Sequence, residues 1–525
     1  MPKVLISDKL SPLAAQVFKD RGVDVDVKPG MGADALKACI GKYDGLAIRS
    51  ATKVTQEILE SATNLKVVGR AGIGVDNVDV PAATQHGVVV MNTPFGNAIT
   101  TAEHAISMMM ALARQIPQAN TSTHDGLWEK SKFMGVELYG KTLGVVGCGN
   151  IGSIAADRAL GLKMKVIAFD PYLSAERAVD IGVEKVELED LFGRADFITL
   201  HTPLTDQTRN LIDAKAISTM KKGVRIINCA RGGLVNEADL KSAIEEGHVA
   251  GAAFDVFEAE PAKESVLFGL ENVVCTPHLG ASTAEAQVNV AVQVAEQMSD
   301  YLLTGAVTNA LNMASVSAED APRLQPYLKL AEQLGSFAGQ VTRSSIRNVS
   351  ITYAGAVADL NTKPLTAIAV KGLLSPLMEN VNMVNAPVIA CERDIEISEI
   401  KKETGDQYQT LVSISVTTER QSRTITGTLF GDSLPRIVEV NGIRLEAEVG
   451  PHMLYIINDD KPGFIGALGS ALGNAGVNIA SFHLGRANQG GDAIALLQLD
   501  QEIDESLLEG VRGLPQVHQA QTLLF

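Results

Sequence analysis

The sequence is poor in cysteine and contains no cysteine spacing typical of a metal site. Its five cysteines are odd in number, and no two of them form a CxxC motif. A disulfide framework is therefore excluded, and we expect no bound metal. We predict that all of them are buried free thiols in a reducing compartment, namely Cys39, Cys148, Cys229, Cys275 and Cys391.

Long apolar runs and an excess of basic residues are also missing. No run is long enough to cross a bilayer, and the N-terminal stretch PKVLISDKL lacks the apolar core of a signal peptide. We therefore expect a cytoplasmic protein with no membrane partner. The chain has 45 Lys and Arg against 61 Asp and Glu, a formal net charge of −16. Nucleic-acid binding needs clustered cations, so we expect no nucleic-acid partner.

The length and the hydrophobic content predict several packed domains. At 525 residues, 46% of them hydrophobic, the chain exceeds what a single core usually supports. Residues 1–97 alternate short β-rich runs with helix-like stretches, a pattern that predicts a small open α/β sheet.

The run KTLGVVGCGNIGSIAADRALGLKMKVIAFD has the order strand, glycine-rich turn, helix, strand and acid. Gly147 permits the tight turn, Gly149 leaves room for a pyrophosphate, and Gly152 lets the helix approach the sheet. The N–H groups at the helix start, near Asn150 and Ile151, would face the phosphates. This order predicts a dinucleotide-binding unit.

Asp170 ends the second strand of this unit. A carboxylate at this position accepts hydrogen bonds from the adenosine ribose hydroxyls and repels a 2′-phosphate. We therefore predict NAD, rather than NADP, as the cofactor.

Two strands of the first segment end in arginine. Arg49, with Ser50 beside it, and Arg70 follow the apolar runs GLAI and KVVG. Ligands of open α/β sheets bind beyond the carboxyl ends of the strands, so Arg49 and Ser50 are candidates to hold an anionic group. The alternative is that each arginine pairs with a surface acid. The stretch from Gly69 to Gly74 lacks a helix start, so we predict a loop that offers backbone N–H groups to the substrate.

Later loops carry the residues that alcohol oxidation beside a carboxylate would need. Arg231, Glu260 and His278 each follow an apolar strand or its turn. Histidine is suited to accept the hydroxyl proton, a carboxylate orients it, and arginine binds a carboxylate with two hydrogen bonds. His278 could instead be structural. Glu260 and its neighbour Glu258 could instead belong to a solvated loop.

The strongly apolar stretch from Ala98 to Ile116 predicts one long helix with its methionines in the core. This helix would link the first segment to the dinucleotide-binding unit. His104 on this helix is predicted to be structural. Trp128, the single tryptophan, is predicted to be either a lid or contact residue or a packed one.

The motifs GCGNIG, HTPLT, NCARGG, AAFDVFEAEP and TPHLGAST together resemble the D-isomer-specific 2-hydroxyacid dehydrogenase family. The wider match covers essentially the whole chain and resembles the long members that carry a C-terminal ACT domain. The resemblance implies an α/β fold: a two-lobed Rossmann-like dehydrogenase with a flavodoxin-like substrate lobe and an NAD-binding lobe. An α+β intervening domain and a ferredoxin-like ACT domain would follow.

The same resemblance implies a role for each site residue. Arg231, Glu260 and His278 would be catalytic. The residues around the substrate would be Arg49, Ser50, Gly74, Asn97, Arg231 and His278, with Arg49 facing a phosphate. Those around NAD would be Gly147, Gly149, Asn150, Ile151, Gly152, Asp170, Thr202, Pro203, Cys229, Ala230, Arg231, Asp255, His278 and Gly280.

The C-terminal part carries no catalytic signature. Residues 451–525 alternate strands and helices in a βαββαβ pattern that resembles an ACT domain, where Asp460 and Asn478 would bind serine as an effector. The run RTITGTLFGDSLPRIVEVNG predicts hairpins, with Asn441-Gly442 as a turn. We predict these domains: substrate-binding, 1–97 and 290–312; NAD-binding, 98–289; intervening, 313–450; ACT, 451–525.

The expected activity is NAD-dependent oxidation of 3-phospho-D-glycerate to 3-phosphohydroxypyruvate, the first step of L-serine biosynthesis, by a homo-oligomer (dimer or tetramer). The alternatives are a glyoxylate or hydroxypyruvate reductase of the same family, or a catalytically silent amino-acid-sensing protein.

Overall fold

A computed structural model describes residues 1–316, 321–404, 408–431 and 433–525, which contain four β-sheets. The predicted hairpin segment includes Asp432, which lies outside the described residues. The five-stranded parallel sheet has the order β2-β1-β3-β4-β5, the flavodoxin-like order. Its elements are β1 Lys3–Ile6, α1 Pro12–Asp20, β2 Asp24–Val27, α2 Ala33–Cys39, a 3₁₀ turn Ile40–Lys42, β3 Gly45–Ile48, α3 Gln56–Glu60, β4 Val67–Arg70, α4 Val80–Gln85 and β5 Val89–Met91.

Two helices connect the first sheet to the second, α5 Ala98–Arg114 and α6 Ile116–His124. The single helix predicted to reach Ile116 is therefore wrong at its end. Gln115 adopts a left-handed conformation with φ of 52° and caps α5. Pro117 has no N–H to continue the hydrogen-bond ladder of α5, but it is tolerated in the first turn of a helix and here opens α6.

The second sheet has seven parallel strands in the order β12-β11-β10-β9-β6-β7-β8. Its strand order reverses between β6 and β9, which is the doubly wound Rossmann topology. Its elements are β6 Thr142–Val146, α7 Asn150–Gly161, β7 Lys165–Phe169, α8 Ala175–Ile181, β8 Glu184–Lys185, α9 Leu188–Arg194, β9 Phe197–Leu200, α10 Ala214–Thr219, β10 Val224–Asn228, α11 Glu237–Glu245, β11 Val249–Phe254 and β12 Val273–Cys275, and α12 Ala284–Thr304 follows. Helix α12 returns to the first sheet, where Val290, Val294 and Met298 enter its core.

The third sheet is mixed, in the order β14-β13-β15-β16-β17-β18, and α13 and α14 pack together beside it. Its elements are α13 Ala321–Gln340, β13 Ile346–Gly355, a 3₁₀ turn Ala356–Asp359, α14 Lys363–Leu374, α15 Ala386–Glu392, β14 Glu396–Lys402, β15 Thr410–Thr418, β16 Ser422–Phe430, β17 Leu434–Val440 and β18 Ile443–Glu448. The predicted Asn441-Gly442 turn joins the last two strands, with Val440 paired to Ile443. Both turn residues have positive φ, as a two-residue hairpin requires.

The fourth sheet is antiparallel, in the order β20-β21-β19-β22, the ferredoxin-like split βαβ arrangement. Its elements are β19 His452–Asp459, α16 Phe464–Asn474, β20 Ile479–Arg486, β21 Asp492–Leu499, α17 Glu505–Arg512 and β22 Val517–Leu524. One face of this sheet shares a core with the third sheet: the rings of Tyr455 and Phe337 meet edge to face at 5.2 Å. The predicted fold class is confirmed; the exact domain boundaries stay predictions.

Two expectations about single residues need correction. Only Cys148 and Cys229 are buried; Cys39 is half-buried, and Cys275 and Cys391 are exposed. Trp128 is 88% exposed, so it is not a packed residue of this chain. Among the described residues, no helix is both long and apolar enough to traverse a membrane.

Candidate active site

The glycine-rich turn forms an open cradle at the point where the second sheet reverses its strand order. A Cβ on Gly147 would lie 2.7 Å from the His201 carbonyl oxygen, and one on Gly152 would lie 1.9 Å from the Gly147 carbonyl oxygen. Nothing lies within 4 Å of the equivalent position on Gly149. Gly147 and Gly152 therefore have no room for a side chain, whereas the open space at Gly149 is the space that a pyrophosphate needs.

The start of α7 is free to bind phosphate. Its N-cap, Gly149, provides no side-chain cap, so the first N–H groups, from Asn150 and Ile151 onward, have no capping oxygen. Asp170 lies beside this turn, and its carboxylate oxygens accept hydrogen bonds from the N–H groups of Cys148 (2.8 Å) and Tyr172 (2.8 Å). These bonds fix the carboxylate and leave lone pairs for ribose hydroxyls. The cradle thus fits a dinucleotide.

His278 and Glu260 form a short contact in the crevice. His278 Nδ1 lies 2.6 Å from Glu260 Oε2, and Glu260 Oε1 accepts the N–H of Phe257 at 3.0 Å. The bond from Glu260 raises the pKa of His278 above its ordinary value, although burial opposes the rise. Burial raises the pKa of Glu260, but His278 and the Phe257 N–H outweigh it and hold that pKa below its ordinary value. Of the two neighbouring glutamates, Glu260 is the one that reaches the histidine.

The loop that carries His278 is built on Asp255, which is fully buried. Its carboxylate accepts hydrogen bonds from the N–H groups of Leu279 (2.7 Å) and Gly280 (2.8 Å) and from Thr276 Oγ1 (2.6 Å). His104 Nε2 lies 3.2 Å from the same carboxylate. Burial raises the pKa of Asp255, but His104, Thr276 and Leu279 reverse this and lower it. Asp255 therefore holds the loop that carries His278 through hydrogen bonds to its backbone. His104 contacts this buried carboxylate, which fits the structural role predicted for it.

Arg231 is oriented by its own loop. The side chain of Asn228, at the end of β10, donates to the Arg231 carbonyl (2.8 Å) and accepts the Ala230 N–H (3.1 Å). The guanidinium donates to the Ala230 carbonyl at 2.7 Å and pairs with Asp76 at 3.3 Å. Its positive charge opposes, without reversing, the rise in the pKa of His278 that Glu260 causes.

The carboxyl edge of the first sheet faces this group with further arginines. Arg70 is largely buried; burial and the charge of Arg231 lower its pKa to about 10, and its Nε is buried without a partner among the described residues. A Cβ on Gly74 would lie 1.9 Å from a guanidinium nitrogen of Arg231. Asn97 Oδ1 is likewise buried with no partner in the described chain. Unpaired buried polar atoms are costly, so this crevice is prepared for a polar, anionic ligand.

Several of these residues are not predicted from the sequence. The pattern predicts Arg70 as the end of a strand but not as a site residue, and no distinctive spacing marks Asp76 or Asn228. The loop predicted from Gly69 to Gly74 begins too early, because Gly69 and Arg70 belong to β4. Within the loop, the Gly72 N–H is not free for a substrate, since it donates to Thr93 Oγ1 at 2.7 Å. Three other predicted residues lie where expected, in loops after strands: Thr202 and Pro203 follow β9, and Cys229 follows β10.

The two predicted effector residues, Asp460 and Asn478, do not line the same cavity. Asp460 lines a cavity of about 380 Å³ and pairs with Arg486 at 3.0 Å. Asn478 does not line this cavity and donates to Asp500 at 2.7 Å. Asn458, also on the wall, has a buried Oδ1 without a partner among the described residues.

A second cluster at the fourth sheet bears on the prediction of no metal site. Asp459, Asp492 and His518 bring their side-chain oxygen and nitrogen atoms within 4.8 Å of one another. The Asp459 carboxylate, however, already pairs with Lys461 at 2.7 Å and with His518 at 2.8 Å.

This combination of a Rossmann sheet, a dinucleotide cradle and an arginine-glutamate-histidine set defines an NAD-binding 2-hydroxyacid dehydrogenase. Residues 106–280 match the model of the D-isomer specific 2-hydroxyacid dehydrogenase NAD binding domain, and residues 323–441 match that of the D-3-phosphoglycerate dehydrogenase intervening domain. Over 59% of the chain, the structure is similar to apo D-lactate dehydrogenase from Escherichia coli, with 31% identity, a TM-score of 0.53 and full coverage of that chain.

Two curated relatives extend the similarity to the whole chain. The D-3-phosphoglycerate dehydrogenase of Synechocystis sp. is 45% identical over 100% of this chain and 95% of its own length. That of Bacillus subtilis is 42% identical over 98% of each. The chain belongs to the D-3-phosphoglycerate dehydrogenase family.

Proposed function

We propose that the protein oxidises 3-phospho-D-glycerate to 3-phosphohydroxypyruvate with NAD, as the first step of L-serine biosynthesis. The observation that carries the proposal is the 2.6 Å contact of His278 with Glu260, which the charge of Arg231 also influences. The relatives that match the full length bear the name of this activity.

In this mechanism His278 is the base. Because Nδ1 is held by Glu260, the neutral ring keeps its proton there and offers the Nε2 lone pair to the substrate hydroxyl. His278 accepts the hydroxyl proton at Nε2 as the C2–H bond breaks, and Glu260 stabilises the cation that forms. Bound NAD supplies the acceptor for the hydride. In the reverse direction the protonated ring returns the proton.

The cations of the crevice bind the two anionic ends of the substrate. Arg231 holds the carboxylate beside the reacting carbon, with Gly74 leaving space for the guanidinium. Arg49 and Ser50 bind the phosphate, and Asn97, whose Oδ1 is buried without a partner among the described residues, lies beside the substrate. Substrate displaces Asp76 from Arg231, since both carboxylates compete for the same guanidinium edge.

The test is NADH formation with 3-phosphoglycerate, D-glycerate and D-lactate. We expect a strong preference for the phosphorylated acid in kcat/KM. Arg49→Gln should raise the KM for 3-phosphoglycerate and leave the weak turnover of D-glycerate unchanged. Preference for an unphosphorylated acid would overturn the proposal in favour of a glyoxylate or hydroxypyruvate reductase, and absence of any turnover would favour a silent sensor.

We further propose that the protein is a homo-oligomer, a dimer or a tetramer. Large exposed apolar side chains concentrate between residues 95 and 139, and soluble monomers rarely expose such concentrations. They are Phe95, Ile99, Met110, Ile116, Leu127, Trp128, Met134 and Tyr139. Sedimentation of the wild type should give an oligomer, and emission from Trp128, the single tryptophan, should shift to shorter wavelength as the oligomer forms. A monomer with unshifted emission would contradict this.

We propose serine as an effector of the C-terminal cavity. Asp460 would bind the amine there; Asn478, which is predicted to bind the carboxylate, must first release Asp500. Titration calorimetry with serine should show binding that Asp460→Ala abolishes. No heat of binding in the wild type would contradict this role.

We also propose a cytoplasmic location. All five cysteines are free, which fits a reducing compartment. Recovery of the native protein with the soluble cytoplasmic fraction of its source cells is the test.

A further inference from the structure

A buried carboxylate lies beneath the loop that carries Arg49. Asp8 follows β1 and is 4% exposed. Its Oδ2 accepts the N–H groups of Arg49 (2.6 Å), Ala51 (3.2 Å) and Thr52 (3.1 Å), and its Oδ1 accepts the Thr52 hydroxyl at 2.6 Å. Four donors of one short loop therefore converge on a single side chain.

Asn77 holds the same loop from its other side. Its Nδ2 donates to the carbonyl oxygens of Arg49 (2.8 Å) and Thr52 (2.6 Å). Asp8 thus binds the N–H groups of Arg49, Ala51 and Thr52, and Asn77 binds the carbonyls of Arg49 and Thr52. The backbone on both sides of Ser50 is fixed by side chains that lie outside the loop.

Carboxylate chemistry explains why an acid stands beneath the loop. An ionised carboxylate is an acceptor only, so all four donors can be satisfied at once, and its charge strengthens the hydrogen bonds relative to those of an amide. A buried charge is costly unless it is compensated by hydrogen bonds. The structure supplies that compensation through the loop itself, which means that the loop and the carboxylate stabilise each other.

The position of this arrangement connects it to substrate. β1 and β3 are neighbours at the point where the first sheet reverses its strand order, and ligands of such sheets bind beyond that point. No hydrogen bond or ion pair of the Arg49 guanidinium occurs within the described part of the chain, so it remains available to a ligand. Asp8 also opposes the mutual repulsion of the arginines, because its charge acts to raise the pKa of Arg70 while Arg49 acts to lower it.

We propose that Asp8 and Asn77 are positioning residues that set the specificity for a phosphorylated substrate, by holding residues 49–52 in the conformation that directs Arg49 to the phosphate. This inference rests on the proposed function, in which Arg49 binds that phosphate. Neither side chain touches the reacting atoms, so both act on binding of the phosphate group and not on hydride transfer.

The variants are Asp8→Asn and Asn77→Ala, with Asp44→Asn as the matched control. Asp44 is also an aspartate of the first sheet that accepts a backbone N–H (Lys3, 2.9 Å) and pairs with a side chain (Lys66, 3.0 Å), but at the opposite edge. Steady-state kinetics give kcat and KM for 3-phosphoglycerate, D-glycerate and NAD. We expect either variant to raise the KM for 3-phosphoglycerate about tenfold, equivalent to about 1.4 kcal/mol. Changes in kcat, in the NAD KM and in D-glycerate turnover should stay within twofold.

A double-mutant cycle adds a readout that a merely structural role would not change. In an Arg49→Gln background, Asp8→Asn should raise the KM for 3-phosphoglycerate no further, because its effect acts through Arg49. The inference is overturned if Asp8→Asn and Asn77→Ala keep the preference for the phosphorylated acid that wild type shows and Arg49→Gln loses. In that case the proposed function survives. Equal KM increases for both acids, or additive effects in the cycle, would also overturn the inference. If Asp8→Asn does not fold, Asn77→Ala alone decides. A wild type without preference overturns the proposed function itself.

Discussion

Replacing Glu260 by glutamine isolates what the carboxylate does for the base. The substitution keeps the size of the side chain and removes its charge. Because the hydrogen bond from Glu260 is the largest cause that raises the pKa of His278, the variant should lower that pKa. Oxidation requires neutral His278, so the acid limb of its pH-rate profile should move to lower pH.

The size of the rate loss follows from the contact. Hydrogen bonds to charged groups contribute about 1.5–3 kcal/mol, and here the bond strengthens as His278 gains a proton in the transition state. The histidine side chain is 52% exposed, so solvent screens part of the interaction and the lower end applies. A loss of about 1.5 kcal/mol corresponds to a kcat about tenfold lower on the plateau. His278→Ala should lose more, roughly a hundredfold to ten-thousandfold.

The assay is initial-rate NADH formation at saturating NAD across the pH range, with Glu258→Gln as the control. Glu258 is the exposed neighbour, and its backbone N–H donates to Glu237 at 3.0 Å, while its carboxylate has no hydrogen bond or ion pair among the described residues. His278 and Glu260 share a hydrogen bond, so the acid limb of the wild type reports the pair. The informative quantity is therefore how far the acid limb moves in the variant. A limb that stays in place while kcat falls would refute the pKa argument, and an unchanged kcat would refute the role of Glu260.

Three further predictions concern the cofactor cradle and the C-terminal core. Gly152→Ala would place a methyl group 1.9 Å from the Gly147 carbonyl oxygen, so calorimetry should show loss of NAD binding while the thermal transition of the C-terminal sheets is retained. Asp170→Ala should reduce the preference for NAD over NADP in kcat/KM, since the repulsion of a 2′-phosphate is removed. Tyr455→Phe should be neutral or stabilising in thermal unfolding, because its buried hydroxyl has no partner among the described residues, whereas Tyr455→Ala should cost about 3–5 kcal/mol.

The fold was largely accessible from the sequence because its local signals agree with one another. The two strands of the dinucleotide-binding unit, Thr142–Val146 and Lys165–Phe169, occur in the predicted order, because one apolar run ends in a glycine turn and the other ends in an acid. The end of α5 was predicted two residues too late. Hydrophobic periodicity continues through Ile116, but Pro117 is a helix-breaking signal in the sequence, and the chain turns at the left-handed Gln115 just before it.

The site was partly accessible for the same physical reason. Residues that end a strand and carry distinctive chemistry, such as Arg49 and His278, could be placed by the carboxyl-edge rule. Asp8 also ends a strand, yet its function depends on four donors that lie more than 40 residues away. The pairing of Arg231 with Asp76 and the burial of Arg70 likewise come from tertiary contacts that no local pattern records.

The shared core of the third and fourth sheets determines where the chain can be shortened. Met453, Tyr455 and Leu523 lie in the same cluster as Phe337 and Val349, so a chain that stops at residue 450 would expose the wall they cover. A shortened dehydrogenase should therefore end before α13, near residue 316, so that the truncation removes both C-terminal sheets together. For the same reason, we expect the third and fourth sheets to move as one body, because separating them would expose the core that they share.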